Sequence, residues 1–182
     1  MSKKIILVLP VVLCLFLFKA ARAEIVINEI MYAPQTGSAH EWVEIFNSGQ
    51  DSIDLSNWRF FYDSDGDKVY DSDESHPLTL RQGDNSILDP LHYAMIAKSP
   101  AVVTDYAWLN FSGTIFSATF SLSDEDAKLI AIMDKDKAVK NSTTYDPNIG
   151  GNKDSGNSLQ LMNDKIWKAL TPTPGMKNEI ET

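Results

Sequence analysis

Alternation with a period of two over Ile25 to Phe46 constrains this chain more than any other feature. In Ile25-Val26-Ile27-Asn28-Glu29-Ile30-Met31-Tyr32, the residues Ile25, Ile27, Glu29 and Met31 fall on one face, and Val26, Asn28, Ile30 and Tyr32 on the other. That is the pattern of a β-strand, not the 3.6-residue repeat of a helix. A polar turn leads to a second such run, Glu41-Trp42-Val43-Glu44-Ile45-Phe46. Neither face is wholly polar, so Glu29, Glu41 and Glu44 stand among apolar neighbours. A carboxylate there must find hydrogen-bond donors or stay near water.

Further strand-like segments follow at Arg59 to Tyr62, His92 to Ala97, Tyr106 to Phe111, Ser117 to Leu122, Lys128 to Met133, Ser142 to Tyr145, Ser158 to Leu161 and Ile166 to Ala169. Gly, Pro, Asn and Asp clusters separate them, and no stretch carries a sustained helical stripe. Many short strands with such punctuation predict an all-β fold, an antiparallel β-sandwich. Trp42, Trp58, Phe60, Phe116, Phe120 and Trp167 are the expected core aromatics.

Three motifs recur in a familiar order. I-N-E-I-M-Y followed by E-W-V-E-I-F-N comes first, then Asp54-Leu55-Ser56-Asn57-Trp58, then Ser158-Leu159-Gln160-Leu161 with Thr171-Pro172-Thr173-Pro174-Gly175 and Asn178. Together they resemble the lamin tail domain, whose turn motif reads D-L-S-G-W and whose closing motif reads S-P-T-P-G-x-x-N. Asn57 replaces the turn glycine, a mild departure because Asn tolerates the left-handed backbone region. The resemblance spans Glu24 to Asn178 and implies an immunoglobulin-like sandwich. In exported bacterial proteins this family is found joined to hydrolases such as phosphoesterases and nucleases.

At the N-terminus, Lys3 and Lys4 precede an apolar run from Ile5 to Phe18, and Ala21-Arg22-Ala23 supplies a small-x-small cleavage site. Residues 1–23 read as a secretory signal peptide, because a spanning helix needs about 20 apolar residues and Lys19 breaks this run. Export to the periplasm or the medium is therefore expected, with contact to the membrane only in transit. Pro10, Lys19 and Arg22 keep an uncleaved membrane anchor as the alternative. Residues 24–182 form the expected lamin-tail-like domain. Cys14, the only cysteine, goes with the leader, so no disulfide or thiolate metal site remains. Losing Lys3, Lys4, Lys19 and Arg22 from 16 basic residues leaves 12 against 25 acidic ones, a net charge of −13. Such a surface repels nucleic acid and anionic lipid.

Asp63 to Glu74 is the segment with the most evident chemistry. Counting Asp63 as the first position puts Asp63, Asp65 and Asp67 at positions 1, 3 and 5, the Val69 carbonyl at 7, Asp71 at 9 and Glu74 at 12. This is the ligand spacing of an EF-hand-type calcium loop. Lys68 occupies position 6, where the turn favours Gly, and Pro77 together with the strand-like Trp58 to Tyr62 argues against flanking helices. Two readings thus stand: a calcium loop set between strands, and an acidic, solvated hairpin turning at Asp65-Gly66.

No catalytic residue emerges. There is no Gly-x-Ser-x-Gly elbow. His40-Glu41-Trp42-Val43-Glu44 has Glu where H-E-x-x-H needs its second His, and strand geometry sends Glu41 and Glu44 to opposite faces. His76 and His92 read as loop residues beside prolines. The function expected from the sequence is a non-enzymatic binding module for a protein or cell-surface ligand, with no cofactor other than calcium at the acidic loop. A metal-dependent, phosphoesterase-like hydrolase or its accessory subunit, and a self-associating envelope protein, are the alternatives.

Overall fold

The computed structural model describes residues 24–98, 110–150 and 155–178. Thirteen strands account for nearly all of the regular structure: β1 Ile25–Met31, β2 Trp42–Asn47, β3 Ile53–Asp54, β4 Arg59–Tyr62, β5 Ser75–Pro77, β6 Thr79–Gln82, β7 Ile87–Leu88, β8 Tyr93–Lys98, β9 Thr114–Ala118, β10 Lys128–Met133, β11 Val139–Tyr145, β12 Ser158–Leu161 and β13 Trp167–Leu170. A 3₁₀ turn at Ser38–His40 and a one-turn helix at Pro147–Gly150 complete the regular structure among the described residues. The expected leader, residues 1–23, lies outside them. Among them no helix is long and apolar enough to cross a membrane.

A seven-stranded sheet runs β13-β12-β1-β2-β8-β9-β6, a four-stranded sheet runs β11-β10-β4-β5, and β3 pairs with β7. The main core fills the space between the two larger sheets, from Ile27, Val43, Ile45, Ile96 and Phe116 on one side to Phe60, Ile130, Ile132 and Tyr145 on the other. Phe60 and Phe120 pack there with ring centres 4.8 Å apart. The all-β, immunoglobulin-like sandwich expected from the sequence is the observed architecture. One pairing differs from an antiparallel fold: β8 and β9 are parallel neighbours. Parallel strands need a crossover of about a dozen residues, which the chain from 99 to 113 is long enough to supply.

Within β1 the two faces do not alternate uniformly. The pairing with β2 shifts register between Ile27 and Glu29, a β-bulge at Asn28 that inserts one extra residue. Ile25, Ile27, Ile30 and Tyr32 therefore all reach the main core, while Met31 joins Trp42, Met95, Ala97 and Ile115 in a second apolar cluster. The bulged backbone is tied down by β11, whose Asn141 Oδ1 accepts from the Ile27 N–H at 3.1 Å.

The same second cluster corrects the placement of Trp42, which is buried but outside the main core. Trp167 is only half-buried, packed against the core from the edge strand β13. Phe61, absent from the expected aromatics, is fully buried with Ala131 and Met133 in a third cluster. The turn before β4 matches expectation: Asn57 has φ 63° and Trp58 N donates to Leu55 O at 3.1 Å.

The strand expected over Ser117 to Leu122 is instead β9, which ends at Ala118. Phe120 and Leu122 are both buried, which produced the alternating pattern. The Leu122 N–H, however, donates to the Glu41 carboxylate at 2.7 Å and not to a neighbouring strand. Of the segment Tyr106 to Phe111, residues 106–109 lie outside the described residues, and Asn110 and Phe111 are not in a strand.

Candidate functional site

The acidic loop leaves β4 at Tyr62 and returns at β5, the edge strand that pairs with it through Phe61 and Ser75. Short side-chain-to-backbone bonds shape it, as expected of Asp-rich turns. Asp63 Oδ1 accepts from Gly66 N at 2.8 Å, Asp65 Oδ1 from Asp67 N at 3.1 Å, and Asp67 Oδ1 from Val69 N at 2.7 Å. Gly66 and Lys68 both have positive φ, 84° and 62°. One carboxylate oxygen from each of Asp63, Asp65 and Asp67 lies within 4.8 Å of the others.

The other three expected ligands are placed differently. The Val69 carbonyl accepts from Asp71 N at 3.2 Å. The Asp71 side chain is exposed, and its carboxyl is pushed upward in pKa by desolvation and then by Asp67, Asp73, Glu74 and Asp65. Glu74 turns inward under the loop. Its Oε1 accepts from Ser64 N, Ser64 Oγ and Asp65 N at 2.7, 2.6 and 3.2 Å.

A second constellation sits on the outer face of the seven-stranded sheet. Glu29 and Glu44 are directly opposed across β1 and β2, and both are fully buried. The chain after β13 crosses above them. Thr173 donates to Glu29 through its N–H at 3.0 Å and its hydroxyl at 3.1 Å, and Gly175 N donates to Glu44 Oε2 at 2.6 Å. Ser158 Oγ also bonds Glu29, and Asn28 Nδ2 bonds Glu44 Oε1 at 2.7 Å. Asn178 Nδ2 closes the strap onto the Asn28 and Leu161 carbonyls at 2.8 and 3.0 Å.

Gly175 is required at this crossing. Its φ is 76°, and a Cβ there would meet the Phe111 ring at 2.8 Å. Burial pushes the Glu44 carboxyl up to about 8, against the pull of Gly175 N–H and Asn28, with the Glu29 carboxylate adding to the rise. Glu29 is raised as well, again by burial. The sequence showed that these carboxylates needed donors. It held no signal that the donors would come from the Thr-Pro-Thr-Pro-Gly segment, more than a hundred residues away.

Glu41 belongs to a separate network. Its Oε1 pairs with Lys98 Nζ at 3.0 Å and its Oε2 accepts from Leu122 N, while Lys98 also reaches Ser121 Oγ at 2.9 Å. Glu41 and Glu44 thus share no partner and form no acid–base couple. His76 lies in β5, its pKa lowered by burial and by Arg59. His92 bonds the Pro90 carbonyl through Nδ1 at 2.9 Å.

The strap borders two cavities. The first, about 380 Å³, is lined by Met31, Trp42, Gln35, Asn157, Pro172 and Pro174, with His40 at its side. The second, about 470 Å³, lies against Phe46, Tyr93, Lys165 and Lys177. Phe46 and Tyr93 pack at 4.7 Å between ring centres.

Comparison with curated proteins finds no match. A family model, Lamin Tail Domain, matches residues 19–163. The match ends before β13 and the strap, yet the strap's donors are bound by Glu29 and Glu44 inside the matched span. The family is built on a non-catalytic, immunoglobulin-like domain. With its order of motifs, its sandwich and a family match over most of its length, the chain belongs to the Lamin Tail Domain family.

Proposed function

We propose that this protein is an exported, non-catalytic interaction module that holds an extended segment of a partner protein in the cleft beside the strap. The observation that carries the reading is the cleft itself. Met31, Trp42, Pro172 and Pro174 give it an apolar wall, and Gln35, Thr36 and Asn157 give it polar groups able to bond a peptide main chain. Its volume, about 380 Å³, suits a few side chains, and aromatic-lined apolar grooves are a recurrent way to bind extended chain. The acidic surface disfavours nucleic acid as the partner.

The test selects peptides from a random library on the protein and measures their affinity for the parent and for Thr36→Trp. Thr36 is exposed, so the larger ring fills the cleft without entering the core. Affinity is expected to fall at least tenfold in the variant, and a phosphoesterase and nuclease screen to stay silent. Equal affinity in the variant, or turnover in the screen, refutes the reading.

Export is supported by the basic start, the apolar run and the Ala21-Arg22-Ala23 site, and by the position of β1, which begins at Ile25 just beyond that site. Protein recovered from the medium or periplasm is expected to begin Glu24-Ile25-Val26 on N-terminal sequencing. A species still carrying residues 1–23 and sedimenting with membranes would favour the anchored form.

A further inference from the structure

We propose that the second cavity beside the strap binds a small organic acid, an aromatic or branched-aliphatic body carrying one carboxylate. Its place follows from strand register. Three rows cross the outer face of the seven-stranded sheet: Met31 and Trp42 in one, Glu29 and Glu44 in the next, and Val26, Phe46 and Tyr93 in the third. The strap covers the middle row, through Thr173 and Gly175. A cavity is left over each outer row, and the one over Val26, Phe46 and Tyr93 measures about 470 Å³, room for a small molecule.

Its lining joins an apolar surface, from Val26, Phe46, Tyr93 and Leu161, to two lysines, Lys165 of the β12–β13 turn and Lys177 at the end of the strap. The chain carries 25 acidic residues against 16 basic ones, yet no carboxylate claims these two. The ion pairs among the described residues use Lys98, Lys135 and Lys140. Glu24, the acidic residue of the lining, is exposed and pairs with neither lysine, and the Asp164 carboxylate accepts from Ile166 N at 3.2 Å. Two ammonium groups beside an apolar wall are complementary to an anion with an apolar body. The acidity of the rest of the surface disfavours a long polyanion in its place.

Backbone strain at the same cavity is a second observation. Leu91 and Lys165, both in its lining, have φ of 60° and 66°. In Asp89-Pro90-Leu91-His92, closed by His92 N–H to the Asp89 carbonyl at 3.2 Å, Leu91 follows the proline at the position where a type II turn takes Gly or Asn. Burial does not offset the strain, because Leu91 is 67% exposed. A leucine that neither suits its backbone nor gains burial points to a role for its side chain, and here that side chain walls the cavity.

The test titrates the whole protein with naphthoate in a calorimeter, with naphthamide, the same rings without the charge, and acetate, the charge without the rings, as controls. Naphthoate is expected to bind at least tenfold tighter than either. Lys165→Asn with Lys177→Gln should weaken naphthoate at least tenfold and leave naphthamide unchanged, and its fold is preserved because Asn tolerates the left-handed backbone. Leu91→Gly should weaken both ring probes while the melting temperature holds or rises, since glycine relieves the strain. Equal affinity for naphthoate and naphthamide, undiminished binding in the lysine variant, or no binding up to ten millimolar overturns the assignment. So does loss of naphthoate binding in Thr36→Trp, which would seat the probe in the first cavity. A peptide ending in phenylalanine that binds tenfold tighter than naphthoate also overturns it, by making the site one for a chain terminus.

Discussion

Replacing Lys98 by Ala is expected to destabilise the fold by about 3 kcal/mol at pH 8 and by distinctly less at pH 5. Lys98 Nζ is the cationic partner of Glu41, a carboxylate only 1% exposed. Removing one member of a buried pair leaves the other charge without compensation, which costs far more than the pair itself contributes. Glu41 is already raised in pKa by burial, despite the Leu122 N–H and Lys98 that favour its ionised form, and Asp124 adds to the rise. Without Lys98 the carboxyl takes up a proton more readily.

The sign follows from linkage. A carboxyl whose folded pKa is raised contributes stability that is complete below its unfolded value and is lost as pH rises through the folded one. The Lys98→Ala defect therefore grows from pH 5 to pH 8. Urea unfolding at the two values checks it, and a variant as stable as the parent at pH 8 contradicts it. Adding Glu41→Gln to Lys98→Ala is expected to recover part of the loss, because the amide keeps an acceptor for Leu122 N–H without the buried charge.

That network also marks the boundary of what the sequence made legible. Period-two patterning locates a strand wherever both backbone and side chains obey it, and β1, β2, β4, β8, β10 and β12 were all legible in this way. It misreads the stretch around Phe120 and Leu122, where the side chains alternate into the core while the backbone bonds a carboxylate. It cannot see two-residue strands such as Ile53–Asp54 and Ile87–Leu88, because two residues carry no period. The bulge at Asn28 was likewise hidden, since the Ile27 N–H beside it bonds a side chain from β11, Asn141, that lies far off in sequence.

For the acidic loop, the spacing of oxygen donors was legible, as was the turn at Asp65-Gly66, while Lys68 adopts the positive φ that position 6 favours for Gly. Which acids are buried was not, because burial of Asp63 and Glu74 depends on where β5 pairs with β4. A histidine expected in a loop, His76, proved to lie in that edge strand. Its neighbour Pro77, which has no N–H to give, is tolerated because an edge strand leaves one side unpaired.

Between pH 5 and pH 8 the protein is expected to lose stability as the solution becomes more alkaline, and Glu44→Gln to remove most of that slope. Glu44 and Glu29 face each other on adjacent strands, where like charges are unfavourable. Burial moves the Glu44 carboxyl from its ordinary 4.5 up to about 8. The folded state therefore keeps a proton that the unfolded chain has released. Stability from this group is complete below about pH 4.5, falls by about 1.4 kcal/mol for each pH unit above it, and levels off near pH 8, a loss on the order of 5 kcal/mol.

The groups that meet this pair are polar and neutral, Asn28, Ser158, Gln160, Thr173 and the Gly175 amide, with no lysine or arginine among the described residues acting on either carboxylate. Tyr93 reports the same field: burial and then Glu44 and Glu29 push its phenol upward. In Glu44→Gln the new amide keeps an oxygen for Gly175 N–H, so the strap stays bound while the titration disappears. Denaturant unfolding at pH 5, 6.5 and 8 should show the two proteins alike at the acid end and the variant the more stable at the alkaline end. Parallel curves across that window would mean that Glu44 is ionised in the fold, and that the strap's donors outweigh its burial.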